Sequence, residues 1–279
     1  MTASSPDLAP RTTRLAPADA AIFETFVVPQ YLSLFGELAL ESIAETEDAR
    51  VVHFGCRTGY PDRGIAMRLP GARIYGFDES PAAVELARAK AATMRDMMAE
   101  YRVFDGFPTQ LGDATFTHAI AIHPFAAPED RAQLIAEMAR VLVPDGQLVI
   151  ALPLRGSFGE VADLLRECAL KRDDAALSAS VERAMTQRPT VEKLSAEIEE
   201  AGFHDVDVTL RPAGVAFPNG RAFIEDPITR LLLMPEFRKN LDTEEVLKPF
   251  LYVRDAIDKY WSDGDFELSV HVGCATARR

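Results

Sequence analysis

The sequence predicts an α/β fold built on a seven-stranded sheet, mostly parallel with an antiparallel last strand, and with helices on both faces. Three observations predict it. Short apolar runs alternate with amphipathic stretches from residue 49 to residue 153, the pattern of repeated strand–helix–strand units. The run QLVIALP at 147–153 is continuously apolar, as in a strand buried on both faces. The stretch FELSVHVGCATA at 266–277 behaves differently: Phe266, Leu268, Val270, Val272 and Cys274 alternate with Glu267, Ser269, His271 and Gly273. Period-two alternation of this kind suits a half-exposed antiparallel strand.

Residues 17–47 are expected to be helical, since Phe23, Phe26, Val27, Tyr31, Leu34, Phe35 and Leu38 recur at helical spacing. Pro29 should kink or split that segment. ARVVHF (49–54) is strand one, and PDRGIAMRL (61–69) a short helix with Pro61 in its first turn. RIYGFD (73–78) is strand two. The helix expected next covers 79–100, with Ser80 as N-cap and Pro81 at its first position. YRVF (101–104) is strand three and FTHAIAIH (116–123) strand four. Residues 128–142 form a helix with acids in its first turn, stopped by Pro144 and Gly146. After strand five come helices near 157–170 and 175–185, then one at 190–202 capped by Thr190 and closed by Gly202. FHDVDVTL (203–210) is strand six. An insert at 212–264, with helical stretches near 221–233 and 243–262, precedes the last strand. Residues 1–16, rich in Pro, Ser, Thr and Ala, are expected to be a flexible lead to a single domain over 17–279.

Composition narrows the function. The chain has 279 residues and a net charge of −13, from 43 acidic against 30 basic residues, with no Lys/Arg cluster. Such a surface repels phosphate backbones and anionic lipid, so neither nucleic acid nor a membrane surface is an expected partner. Three cysteines, Cys56, Cys168 and Cys274, are far apart and form no CxxC, which supports neither a disulfide framework nor a zinc site. No apolar run reaches the ~18 residues of a membrane span. The first residues lack the cationic start and apolar core of a signal peptide, so a cytoplasmic chain is expected.

The glycine loop after strand one reads His53-Phe-Gly55-Cys-Arg57-Thr-Gly59, and strand two ends in Asp78 within IYGFDESPAAVELARAKA. Together with EMARVLVPDGQLVIALP, EEAGFHDVDV and FELSVHVGCATARR, these segments give the chain, from about residue 20 onward, an ordered resemblance to the class I S-adenosylmethionine-dependent methyltransferases. The resemblance implies a Rossmann-like sheet, S-adenosylmethionine as cofactor and methyl transfer to a small-molecule acceptor. It places Gly55, Arg57, Gly59 and Tyr60 along the cofactor's loop, Asp78 on the ribose hydroxyls and Asp105 near the adenine. The glycines suit close approach of backbone to ligand. Asp78 also has a plainer reading, as an acid at a helix N-terminus ahead of Ser80.

Three positions depart from the family's pattern. His53 stands for an acid, Arg57 for the central glycine and Thr117 for the acid of strand four. An inward guanidinium ~6 Å from a sulfonium costs roughly 3 kcal/mol at an effective dielectric of about 20. The cost disappears if Arg57 turns to solvent, pairs with Asp62 or clamps a ligand carboxylate. His123, where strand four meets its loop, is the candidate to take a proton from an acceptor, or is simply a loop residue before Pro124. His53 reads as a structural residue. Tyr60 lies along the cofactor or packs. Large apolar residues of 212–264, among them Phe217, Phe223, Phe250 and Trp261, pack short helices, line a pocket or form a homodimer face over the sheet's C-terminal edge. The alternative to methyl transfer is an inactive relative serving as a binding or regulatory module. A nicotinamide-dependent oxidoreductase is weaker, because GxGxxG is missing.

Overall fold

The computed structural model describes residues 14–104, 106–124, 127–241 and 247–279. The predicted lead over 1–16 therefore falls, through residue 13, outside the described residues, and so does Asp105.

The seven strands are β1 Arg50–Phe54, β2 Arg73–Asp78, β3 Met98–Val103, β4 Phe116–Ile122, β5 Leu142–Pro153, β6 His204–Phe217 and β7 Phe266–Arg278. They form one sheet in the order β3-β2-β1-β4-β5-β7-β6. The pairs β1–β2, β1–β4, β2–β3 and β4–β5 are parallel, while β5–β7 is antiparallel, as the alternation of residues 266–277 predicts. The strand order reverses between β1 and β4, the switch point at whose carboxyl ends open α/β sheets bind ligands.

The chain divides into two compact units. The larger comprises residues 14–157, 187–213 and 270–279 and carries most of the sheet. Its helices are α1 Pro17–Ile22, α2 Ser33–Ser42, α3 Asp62–Arg68, α4 Pro81–Ala92, α5 Pro128–Val141 and α8 Val191–Glu200. Val52, Phe54, Met138, Leu148, Ile150 and Leu194 belong to one of its buried clusters. The smaller unit draws on residues 158–186 and 214–269, with α6 Gly159–Lys171, α9 Gly220–Glu225, α10 Met234–Asn240 and α11 Leu247–Tyr260. The helix α7 Ala175–Gln187 ends at the boundary. Phe217, Phe223 and Phe266 stack edge to face or tilted in the smaller unit, with Trp261 against Phe266. Many of the large apolar residues of the predicted insert are thus consumed by packing within their own unit.

Three elements differ from the sequence reading. The helix expected to reach residue 100 stops at Ala92, because Met98–Val103 pairs with β2 in parallel register. Strand β6 continues to Phe217 rather than ending at Leu210. Pro29 does not end the first helical segment but sits in a π-helical stretch that divides it. Residues Phe23–Leu32 widen into π-helical turns between α1 and α2, which accommodate the missing N–H without ending the helix.

Candidate functional site

The carboxyl ends of β1, β2 and β4 meet beside the glycine loop, and the larger unit supplies every residue of the candidate site. Gly55 turns the chain out of β1 with φ +67° and Gly59 with φ +79°, values that favour glycine. A Cβ added at Gly55 would meet nothing within 4 Å, so this residue borders open space. At Gly59 the same atom would lie 3.1 Å from the Tyr101 hydroxyl and 3.2 Å from Ala87 Cβ, which leaves little room for a side chain.

Asp78 ends β2 and holds the loop. Its Oδ2 accepts from the backbone N–H of Arg57 at 3.0 Å and its Oδ1 from that of Ser80 at 2.8 Å. The predicted cap is present too, since Ser80 Oγ accepts from the N–H of Ala83 at 3.4 Å while donating to the Leu15 carbonyl at 3.0 Å. Both readings of Asp78 are therefore compatible. Two N–H groups occupy two of about four lone-pair sites on a carboxylate, leaving capacity for ribose hydroxyls.

Arg57 adopts φ +46°, in the left-handed region, at the position where a glycine would be unstrained. Its half-buried side chain neither turns to solvent nor pairs with Asp62. The guanidinium crosses to the end of β4, where Nη1 donates to the Ile122 carbonyl at 3.0 Å and Nη2 to the His123 carbonyl at 2.9 Å. It also lies over the Phe23 ring, 5.6 Å from its centroid. Burial lowers its pKa from the usual arginine value, and the nearby Asp78 charge opposes that shift.

His123 is buried at the end of β4 with φ +51°. Its Nε2 meets the Tyr31 hydroxyl at 3.0 Å, and the rings of Tyr31 and Phe35 stand edge-on to it. Burial first, then the positive charges of Arg57 and Arg188, hold its pKa well below the ordinary histidine value. The imidazole is neutral near pH 7 and a weak base.

His53 is fully buried, with Nδ1 at 2.7 Å from Asp62 Oδ1, while the Tyr101 hydroxyl donates to Asp62 Oδ2 at 2.8 Å. The carboxylate absent from β1 is thus supplied next to it, from the first turn of α3. Thr117 lies at the opposite end of β4, bonded to the backbone of Arg50, so its departure from the family's pattern does not touch the ligand end of the sheet. Tyr60 packs on α2, where a Cβ at Gly36 would collide with its ring. Burial, with Glu37 nearby, raises its pKa to about 12. Sequence reading did not place Tyr31, Phe23 or Tyr101 in this neighbourhood. Their helical or strand spacing marked them only as core.

The geometry fits an adenosyl-type cofactor. Around the loop, three buried polar atoms, Glu24 Oε2, His53 Nε2 and Thr58 Oγ1, have no hydrogen-bond partner. The open space at Gly55 and the spare capacity of Asp78 lie in the same loop region. Among the described residues no group of three or more His, Cys, Asp or Glu could hold a metal ion. No described helix is long and apolar enough to cross a membrane.

Comparison with known proteins gives the same direction. A family profile described as "Methyltransferase domain" matches residues 52–150. Methyltransferase GfsG of Streptomyces halstedii is 30% identical over 190 residues, 65% of each chain. Demethylmenaquinone methyltransferase of Deinococcus radiodurans is 29% identical over 174 residues, 59% of this chain and 71% of the other. The chain thus spans about two thirds of the length of the first of these relatives. The crystal structure of the YcgJ protein from Bacillus subtilis superposes with a TM-score of 0.57 at 11% identity, covering 88% of this chain and 98% of the other, which is a likeness of fold.

Proposed function

Because the chain belongs to the class I S-adenosylmethionine-dependent methyltransferases, whose cofactor is S-adenosylmethionine, we propose that it transfers the cofactor's methyl group to a small-molecule acceptor. The observation that carries the reading is Asp78. It ends β2 at the switch point and holds the glycine loop through two N–H groups, with lone pairs left for a ribose. Gly55 admits the ligand to the backbone, Gly59 lets the loop pack against Tyr101 and Ala87 so that it can hold the ligand, and Tyr60 flanks the same loop. Asp105 is assigned to the adenine by resemblance alone. When bound, the cofactor supplies an activated methyl group. The chain's own part is to position and to exclude water, and catalysis by positioning needs no dedicated acid or base.

A cytoplasmic chain with a homodimer and no nucleic-acid partner completes the proposal. The net charge of −13 supports the last, and filter binding to duplex DNA at physiological salt tests it. Exposed Met98, Val103 and Tyr260 support self-association, tested by sedimentation velocity.

Calorimetry with S-adenosylmethionine, S-adenosylhomocysteine and NAD tests the central claim. Binding of the first two but not the third is expected. If the wild type binds none and Arg57→Gly alone binds S-adenosylmethionine, the reading gives way to that of a chain that has kept the fold and lost the reaction.

A further inference from the structure

We propose that Arg57 is a carboxylate receptor and that the carboxylate belongs to the methyl acceptor, which is methylated on oxygen. The inference rests on the methyl-transfer reading and adds the acceptor's chemical class.

The first observation is a guanidinium that no described carboxylate contacts directly, although the Asp78 charge lies near it. Arg57 spends two N–H groups on the carbonyls of Ile122 and His123, and among the described residues it forms no ion pair with a carboxylate. A guanidinium carries five N–H donors, so three remain. Backbone carbonyls satisfy hydrogen bonds without cancelling charge, and a partly buried cation of this kind is costly until an anion meets it. The fork of remaining donors matches a carboxylate, which it can hold by two parallel bonds.

The second observation is where the guanidinium sits. Its two carbonyl partners are the last residue of β4 and the first residue after it, beside the Tyr31–His123 pair. Buried Arg188 also acts electrostatically on His123, so two guanidinium charges bear on one imidazole. Arg57 thus brings a positive charge to the end of β4 in a chain of net charge −13.

The third is the absence of a competent base. Methylating a hydroxyl requires removal of its proton, most efficiently by a group whose pKa lies near the working pH. Among the described residues His123 is the only imidazole at the end of β4; its Nε2 is already engaged by Tyr31, and burial holds its pKa well below that range. A carboxylate needs no base. One of its oxygens forms the new bond to the methyl carbon while the carbon–sulfur bond breaks and its electron pair stays on sulfur. The products are a methyl ester and the neutral thioether, and no proton moves. A carboxylate held by the guanidinium would also offset the repulsion between that cation and a sulfonium.

The same fork could instead hold the carboxylate of the cofactor's methionine, and the experiment separates the two sources. Calorimetry is run on the wild type, Arg57→Gln and Arg57→Lys with S-adenosylhomocysteine and with 5′-methylthioadenosine, which lacks the amino-acid end. It is then run with hexanoate and hexanamide, each with and without saturating S-adenosylhomocysteine. The proposal expects hexanoate to bind at least tenfold tighter than hexanamide, and Arg57→Gln to erase that preference. It expects Arg57→Lys to keep part of it, and S-adenosylhomocysteine affinity to change less than threefold. Equal binding of acid and amide to the wild type would overturn it. So would a loss in Arg57→Gln confined to S-adenosylhomocysteine and absent for 5′-methylthioadenosine, because the fork then serves the cofactor. If neither adenosyl compound binds while hexanoate still discriminates through Arg57, the carboxylate site stands and the methyl-transfer reading falls. Circular dichroism of both variants, expected to match the wild type, keeps loss of binding distinct from loss of fold.

Discussion

His53 and Asp62 stand side by side in the interior, Nδ1 to Oδ1 at 2.7 Å, with neither side chain exposed. A carboxylate accepts only, so Nδ1 donates to Asp62. The two partners are nine positions apart in the chain, one near the end of β1 and the other opening α3.

This relationship sets the first prediction. His53→Asp puts a second carboxyl against Asp62 at a position where neither side chain is exposed. Breaking one buried pair and creating like-charge crowding should cost about 3–5 kcal/mol of stability. Urea unfolding checks it, and a midpoint equal to that of the wild type would show that the pair contributes nothing.

The second prediction concerns Asp78. Removing its carboxylate in Asp78→Ala takes charge-assisted bonds worth ~1.5–3 kcal/mol each from the ribose. S-Adenosylmethionine affinity should drop by at least tenfold, about 1.4 kcal/mol. The far-ultraviolet spectrum should persist, because Asp78 lies at a strand end. Undiminished affinity by calorimetry would remove Asp78 from the site.

The fold was legible where burial leaves a pattern. β5 and β7 are recognisable because one is buried on both faces and the other alternates. β3 was cut short because it is an edge strand, with Met98, Glu100, Arg102 and Val103 exposed, so its residues resemble those of a solvated helix. The candidate site divides in the same way. Gly55, Gly59 and Asp78 are local and could be read in order. The reach of Arg57 to Ile122 and His123, and the pairing of His53 with Asp62, depend on side-chain direction in three dimensions. No spacing in the sequence encodes them.

The third prediction follows from two depressed histidines. Burial lowers the pKa of both His118 and His123 from 6.5, the latter strongly. The unfolded chain therefore takes up protons below pH 6.5 that the folded chain refuses. Stability is fully present above that pH and declines as pH falls towards the depressed folded values. Each such histidine adds a slope of ~1.4 kcal/mol per pH unit. Urea midpoints between pH 7 and 5 should decrease, and His123→Asn should flatten the decline. An unchanged slope in that variant would mean that His123 protonates freely in the folded chain.

The fourth prediction is steric. At Gly36→Ala the added methyl would overlap the Tyr60 ring. The gain in helix propensity is about 1 kcal/mol, and overpacking costs about 1–3 kcal/mol. A net loss of stability is expected, reversed in the double variant with Tyr60→Ala. A stabilised single variant, read by thermal unfolding, would show that the ring moves aside at no cost.

The antiparallel pairing of β5 with β7 joins Gln147 to Arg278 and Pro153 to Val272. During synthesis β5 therefore emerges long before its neighbour exists. Until residues 266–278 leave the ribosome, one of the most apolar strands of the sheet presents an unpaired backbone edge. Closing it requires a long-range encounter late in folding, a slow step by the rule that distant contacts form slowly. The nascent chain is most open to misassociation in that interval. Deleting residues 272–278 would make the interval permanent, and such a chain should accumulate as aggregate rather than as a soluble, slightly destabilised protein.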